Sequence, residues 1–191
     1  MKISKKFRYL GACLVMILVT ACGQATPAYD DAYTIVSQPT ALLSTMPEPS
    51  GEVILTIKGD IAQTNVGDEL QFDLDMIESV GVVEYSLGDP FEERQVTYRG
   101  VLMRDMLAAA GIAAKAKTLK ITALNDYAIE IPVAEFDEYP IMMALQADGE
   151  YMQPDYRGPS MLVYPLHAYD NFDMNRVQDN WIWQIKTIEI F

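Results

Sequence analysis

The chain has 191 residues, half of them hydrophobic, and a net charge of −13. That length and apolar fraction suit one globular domain rather than two, and the acidity disfavours nucleic acid and anionic lipid headgroups as partners. The only two cysteines are Cys13 and Cys22, so the body beyond Cys22 has no thiol for a disulfide or a soft metal.

The N-terminus reads as a targeting signal. Lys2, Lys5, Lys6 and Arg8 form a positive region ahead of the short apolar run Tyr9 to Thr20, which falls short of the ~20 residues that a helix needs to span a bilayer. Val19-Thr20-Ala21-Cys22 has the shape of a bacterial lipobox. Cleavage before Cys22 would make that residue the lipidated N-terminus, and several acyl chains hold a protein stably where one does not. Gly23 stands where an inner-membrane retention signal often places Asp, which points to the periplasmic face of an outer membrane. Residues 1–21 carry four of the 14 basic residues and none of the 27 acidic ones, so the remainder has a net charge of −17.

Residues 22–52 follow as the lipidated cysteine and a spacer rich in Ala, Thr, Ser and Pro, without sustained periodicity, and read as a flexible tether. From residue 53 to 191 the texture is that of a folded domain. Val53-Ile54-Leu55-Thr56-Ile57 is a β-branched run that ends at Lys58-Gly59-Asp60. Leu74, Ile77 and Val80 have helical spacing. Val82–Leu87 and Gln95–Tyr98 read as strands flanking Gly88-Asp89-Pro90-Phe91. Val101 to Leu107 suits a helix that stops at Gly111. Leu119–Ala123 and Tyr127–Ile131 are strands around Leu124-Asn125-Asp126, and further strands are expected at Ile141–Leu145, Met161–Tyr164 and Trp181–Ile190. In the last, the alternation slips near its end. The sum is a β-rich α+β domain with few, short helices.

Several of these pieces carry a family resemblance in their order and spacing. They are Leu55-Thr56-Ile57-Lys58-Gly59, Tyr98-Arg99-Gly100-Val101-Leu102 leading into Arg104-Asp105-Met106-Leu107, and Ala123-Leu124-Asn125-Asp126-Tyr127. Arg157-Gly158-Pro159 with Val163-Tyr164-Pro165, and then Trp183-Gln184, complete the set. The stretch from about Ile54 to Ile190 resembles the oxidoreductase molybdopterin-binding domain, the fold of sulfite oxidase, in its short secreted branch. The enzymes of that family carry a cysteine that ligates molybdenum. Here the corresponding region, Tyr85 to Phe91, has none, and Ser86 or Asp89 is not an equivalent soft donor. His167 is the only histidine, and Arg99, Arg157 and Arg176 are the candidates for holding an anionic cofactor.

The branch with these features is similar to the PruR-type periplasmic pterin-binding regulators. The resemblance implies a non-catalytic lipoprotein that binds a metal-free pterin and acts on the periplasmic domain of a membrane GGDEF/EAL protein that makes or degrades cyclic di-GMP, and so on biofilm regulation. The alternatives are a molybdopterin-dependent oxidoreductase with an atypical metal site and a scaffold lipoprotein with a vestigial pocket.

A pterin needs flat apolar or aromatic faces and a few polar groups matched to its edge. A carboxylate suits its paired N–H donors, which makes Asp126 the leading candidate, with Asn125 beside it. Phe91, Tyr127, Tyr164 and Trp183 are expected to supply walls, and Arg157-Gly158-Pro159 a backbone that approaches the ligand closely. The same residues have plainer readings. Asn125-Asp126 is a natural turn pair, Gly158-Pro159 a generic turn, and Tyr164 and Trp183 sit on strand patterns. Met103, Met106, Met142 and Met143 look like core filler.

Overall fold

Alternating side chains build most of this domain, and their parity decides what points inward. The computed structural model describes residues 28–40 and 46–191; the expected signal peptide, Cys13, Cys22 and the first residues of the tether lie outside the described residues. The described chain opens with a 3-10 turn (Tyr29–Ala32) and strand β1 (Thr34–Ser37), followed by β2 (Leu55–Gly59), β3 (Leu70–Phe72) and helix α1 (Leu74–Glu78). Next come β4 (Val82–Asp89), β5 (Arg94–Leu102), α2 (Met103–Ala110), β6 (Thr118–Ala123), β7 (Ala128–Pro132) and α3 (Val133–Glu138). The chain ends with β8 (Met142–Ala147), β9 (Glu150–Tyr151), β10 (Met161–Val163), α4 (Met174–Asn180) and β11 (Ile185–Ile190).

The strands form two sheets. One is six-stranded, ordered β1-β4-β5-β8-β10 with β9 on β8; the other is five-stranded, ordered β3-β2-β11-β6-β7. Pairing is antiparallel except between β2 and β11. The fold class is therefore the α+β, β-rich architecture that the sequence pattern predicts. Met103, Met106, Met142 and Met143 are fully buried, as the core reading expects.

In β4 the period of two buries Val83, Tyr85, Leu87 and Asp89 and turns Glu84, Ser86 and Gly88 outward. The same parity in β5 buries Val96, Tyr98 and Gly100. An aspartate thus ends up inside because it continues an apolar alternation.

Three departures from the predicted elements have identifiable causes. First, residues 29–37, placed by composition in a flexible tether, dock on the domain. β1 pairs with β4 through Thr34↔Glu84 and Ile35↔Val83. Every residue of β1 is exposed, so it carries no amphipathic signal that a sequence pattern can register. Second, the long strand expected from Trp181 begins only at Ile185. Gln184 takes a positive φ of 57°, and the β11–β6 register shifts between Ile185 and Thr187, which is where the alternation slips. Third, α3 and α4 were not expected. They are single short helices, and α4 starts from Asp173, whose carboxylate accepts the Asn175 N–H at 3.1 Å.

Gly100 sits where β5 crosses β8, and a Cβ there would overlap the Met143 carbonyl oxygen and the Ala144 Cα. Both obstacles are backbone, so no side chain can swing aside. Gly100→Ala is expected to cost about 3 kcal/mol by overpacking, read as a fall in Tm of roughly 10 °C; an unchanged Tm would show that the sheet yields.

Candidate functional site

The site grows from the buried end of β4. The Asp89 carboxylate accepts from four donors: the Phe91 N–H at 2.7 Å, the Glu92 N–H at 2.8 Å, the Tyr98 hydroxyl at 2.5 Å and Arg157 Nη1 at 2.9 Å. The pair is sealed, with side-chain exposures of 6% for Arg157 and 0% for Asp89. Glu92 adds a second carboxylate, 3.6 Å from Arg157 Nη2. Burial alone would raise the Asp89 pKa, but the hydrogen bonds from Tyr98, Glu92 and Phe91 and the charge of Arg157 outweigh it and hold the carboxyl below its ordinary value. Burial first, and then the bond to Asp89, push the Tyr98 hydroxyl well above its own.

Holding the turn this way presents Phe91 outward. Its ring meets Trp183 edge-on at 5.4 Å and 83°, and Trp181 at 5.9 Å and 71°. The Arg157 guanidinium lies 4.6 Å from the Trp183 ring centroid and 5.2 Å from that of Tyr156, close enough for cation–π attraction. Phe91, Trp181 and Trp183 line a pocket of about 240 Å³ whose other walls include Asn125, Tyr127 and Gln178. The Trp181 indole N–H is buried and finds no hydrogen-bond partner among the described residues. A clasp fixes the Trp183 corner: the Gln184 N–H donates to the Arg157 carbonyl at 3.1 Å, and the Leu124 N–H donates to the Gln184 carbonyl at 2.9 Å.

Of the residues singled out from sequence, Phe91, Asn125, Tyr127 and Trp183 meet at this pocket. The others go elsewhere. Asp126 is at the tip of the β6–β7 turn with φ 63°, its side chain 85% exposed and 3.7 Å from Lys186 Nζ, and it does not line the pocket. The turn reading of Asn125-Asp126 therefore describes Asp126, whereas Asn125 closes the turn by accepting the Tyr127 N–H at 3.1 Å and still faces the pocket.

Arg157 lies beneath the aromatic rings, and its charge is already engaged by Asp89 and Glu92. Gly158 is required by chain packing, since a Cβ there would overlap the Met152 carbonyl. Tyr164 is a core residue whose hydroxyl donates to Glu135 Oε1 at 3.1 Å and accepts from Asn180 Nδ2 at 3.2 Å.

Sequence reasoning missed Trp181, Asp89, Tyr98 and Gln178. For Trp181 the available signal was its spacing of two from Trp183, which the strand reading absorbed.

Pro159 lines a separate groove of about 700 Å³ together with Asp73, Leu124, Tyr151 and Lys186. Asp73 there is committed to the fold. Its carboxylate caps α1 by accepting the Met76 N–H at 2.9 Å and pins the preceding chain by accepting the Ser50 and Gly51 N–H groups, each at 2.8 Å. Burial would raise its pKa, but these bonds lower it.

Asp89→Asn leaves the Arg157 charge buried without its main partner, so a loss of about 3 kcal/mol is expected, measured by urea unfolding at pH 7. The pH dependence has a defined sign. Because folding lowers the Asp89 pKa, its contribution is present above the unfolded value of about 3.9 and is lost as pH falls through the folded value. Wild-type stability should therefore drop below about pH 4, and the variant should show a shallower drop. Asp73 and Asp148 share the same sign, so some slope survives; identical slopes in both proteins would refute the role given to Asp89.

Residues 91–171 match the family model described as the oxidoreductase molybdopterin binding domain. No curated protein sequence matches the chain. Among solved structures, the sulfane dehydrogenase SoxCD from Paracoccus pantotrophus is similar over 96% of this chain, with a TM-score of 0.53 and 14% identity. This chain covers 56% of that one, little more than half its length. At that identity the likeness concerns the fold.

The donor set here does not fit a metal-bearing molybdopterin. The described residues contain no cysteine, and no group of three or more His, Cys, Asp or Glu is placed to hold a metal ion among them. The arginines that would meet the cofactor's phosphate are already paired: Arg157 with Asp89, Arg99 with Glu84, and Arg176 with Glu135. The chain has an α+β fold similar to that of SoxCD, and its residues 91–171 match the model of the oxidoreductase molybdopterin binding domain.

Proposed function

We propose that this is a non-catalytic, lipid-anchored periplasmic protein that binds a metal-free pterin at the Phe91–Trp181–Trp183 pocket and regulates a membrane-bound cyclic di-GMP enzyme through that enzyme's periplasmic domain. The observation that carries the ligand is the aromatic lining itself, with Phe91 edge-on to both Trp181 and Trp183 around one pocket. A flat heterocycle fits such walls through its ring face and edge. Asn125 and Gln178 offer amide groups for its polar edge.

The choice of a neutral pterin over a phosphorylated, metal-loaded one is supported by the paired arginines and by the lack of a thiol. Regulation through a partner is supported by the resemblance to PruR-type proteins and by the lipobox at Cys22. As regulation, it requires a coupling free energy between ligand and partner, so the partner must change pterin affinity by the same factor that pterin changes partner affinity.

Both tryptophans of the chain line this one pocket, so their fluorescence reports its occupancy directly. Titration with biopterin is expected to quench emission to saturation. Phe91→Ala keeps both tryptophans and removes one wall of the pocket, and should weaken binding about tenfold, the equivalent of ~1.4 kcal/mol. Asp126→Ala should bind like the wild type, because that side chain points to solvent. Stoichiometric molybdenum in protein purified from its native source, or affinity unchanged in Phe91→Ala, would refute the assignment. Deleting the gene should shift cellular cyclic di-GMP, and restoring it should reverse the shift.

A further inference from the structure

We propose that the docked N-terminal segment holds the domain close to the bilayer that carries its lipid, and that the regulated partner therefore sits in that same membrane. The inference rests on the lipoprotein reading above and adds what the fold contributes to it. A spacer free from Cys22 to Val53 has 31 Cα steps and stretches to about 110 Å. With Tyr29 docked, seven Cα steps separate it from Cys22, which span at most about 25 Å.

The docking is built from several independent contacts. The Tyr29 hydroxyl donates to the Phe136 carbonyl at 3.1 Å, and the Arg104 guanidinium lies 4.0 Å over the Tyr29 ring. His167 Nε2–H donates to the Ala32 carbonyl at 2.7 Å, and that same imidazole lies against Tyr85 with ring centroids 4.9 Å apart. β1 then joins the ladder of β4, Ser37 Oγ accepts the Val82 N–H at 3.2 Å, and the Thr40 N–H donates to the Ser79 carbonyl at 2.9 Å. Tyr29 and Tyr33 pack on the core. The chain's one histidine thus has a use that requires no metal: it ties the strap to the sheet.

A globular domain of about 150 residues has a radius of gyration near 15 Å, so even its far side stays within ~65 Å of the lipid. That is well short of the gap between the two membranes of a Gram-negative envelope. An outer-membrane anchor, to which Gly23 points, would leave the rest of that gap for the partner's own periplasmic domain to cross. The short reach of the strap therefore favours one bilayer for both.

Three measurements on the full-length chain, made in bacteria that process lipoproteins, test this. The mass of the peptide at Cys22 reports lipidation directly; an unmodified Cys22 in a soluble protein would overturn the lipoprotein reading and this inference with it. With the lipid present, density fractionation is expected to place the protein in the inner membrane, and recovery in the outer membrane overturns the proposal while leaving the lipoprotein reading intact. In a supported phospholipid bilayer, neutron reflectometry should find the protein layer ending within about 65 Å of the surface. Insertion of 30 Gly/Ser residues between Ala25 and Thr26, which leaves the folded part untouched, should move that edge outward. A native layer as extended as that of the insertion variant overturns the proposal.

Discussion

The buried ion pair between Asp89 and Arg157 is the constraint around which this end of the domain is organised. Neither charge reaches solvent, so each must be fully partnered, because an isolated ion in such surroundings costs several kcal/mol. Asp89 meets that demand with two backbone N–H groups, a tyrosine hydroxyl and the guanidinium. The same bonds shape what surrounds the pair. The backbone N–H groups tighten the turn that projects Phe91, and the guanidinium draws the Arg157 loop under Trp183. The Arg157 carbonyl then takes the Gln184 N–H and so fixes the corner on which both tryptophans sit.

The chemistry of the pocket follows from that arrangement. An arginine near a ligand site normally advertises affinity for phosphate or carboxylate. Here its charge is cancelled from within by Asp89 and Glu92, so the pocket offers ring faces and amide-type groups instead. A body with a net charge of −17 beyond residue 21 also repels anionic ligands at long range. Together with the missing thiolate, this supports the proposal of a small neutral heterocycle as the ligand. The indole N–H of Trp181, buried behind the walls, has no hydrogen-bond partner among the described residues.

The N-terminal strap adds a mechanical consequence. A strand added to the edge of a sheet costs little in a folded protein, yet it makes residues 29–40 of an apparent linker part of the domain. Counted from Cys22, seven Cα steps precede Tyr29, against thirty-one to Val53.

Local pattern was enough for the fold class, for most strands of both sheets, for the methionine-rich core and for four of the pocket residues, since alternation and turn chemistry are written in neighbouring positions. It was not enough where two distant segments decide the outcome. Asp126 and Asn125 are adjacent and chemically alike, and only the direction of the β6–β7 turn sends one to solvent and the other to the pocket. Trp181 and Trp183 share one alternation in sequence, but the backbone turn at Gln184 takes them out of the strand and against Phe91. β1 shows no burial pattern, because its stability comes from the hydrogen-bonding edge of β4, some fifty residues away. What the sequence by itself determined is the absence of thiols beyond Cys22 and the inward parity that buries Asp89. Tertiary structure alone decided which cation neutralises that carboxylate and that residues 29–37 dock on the domain, because both depend on contacts between residues that no local period relates.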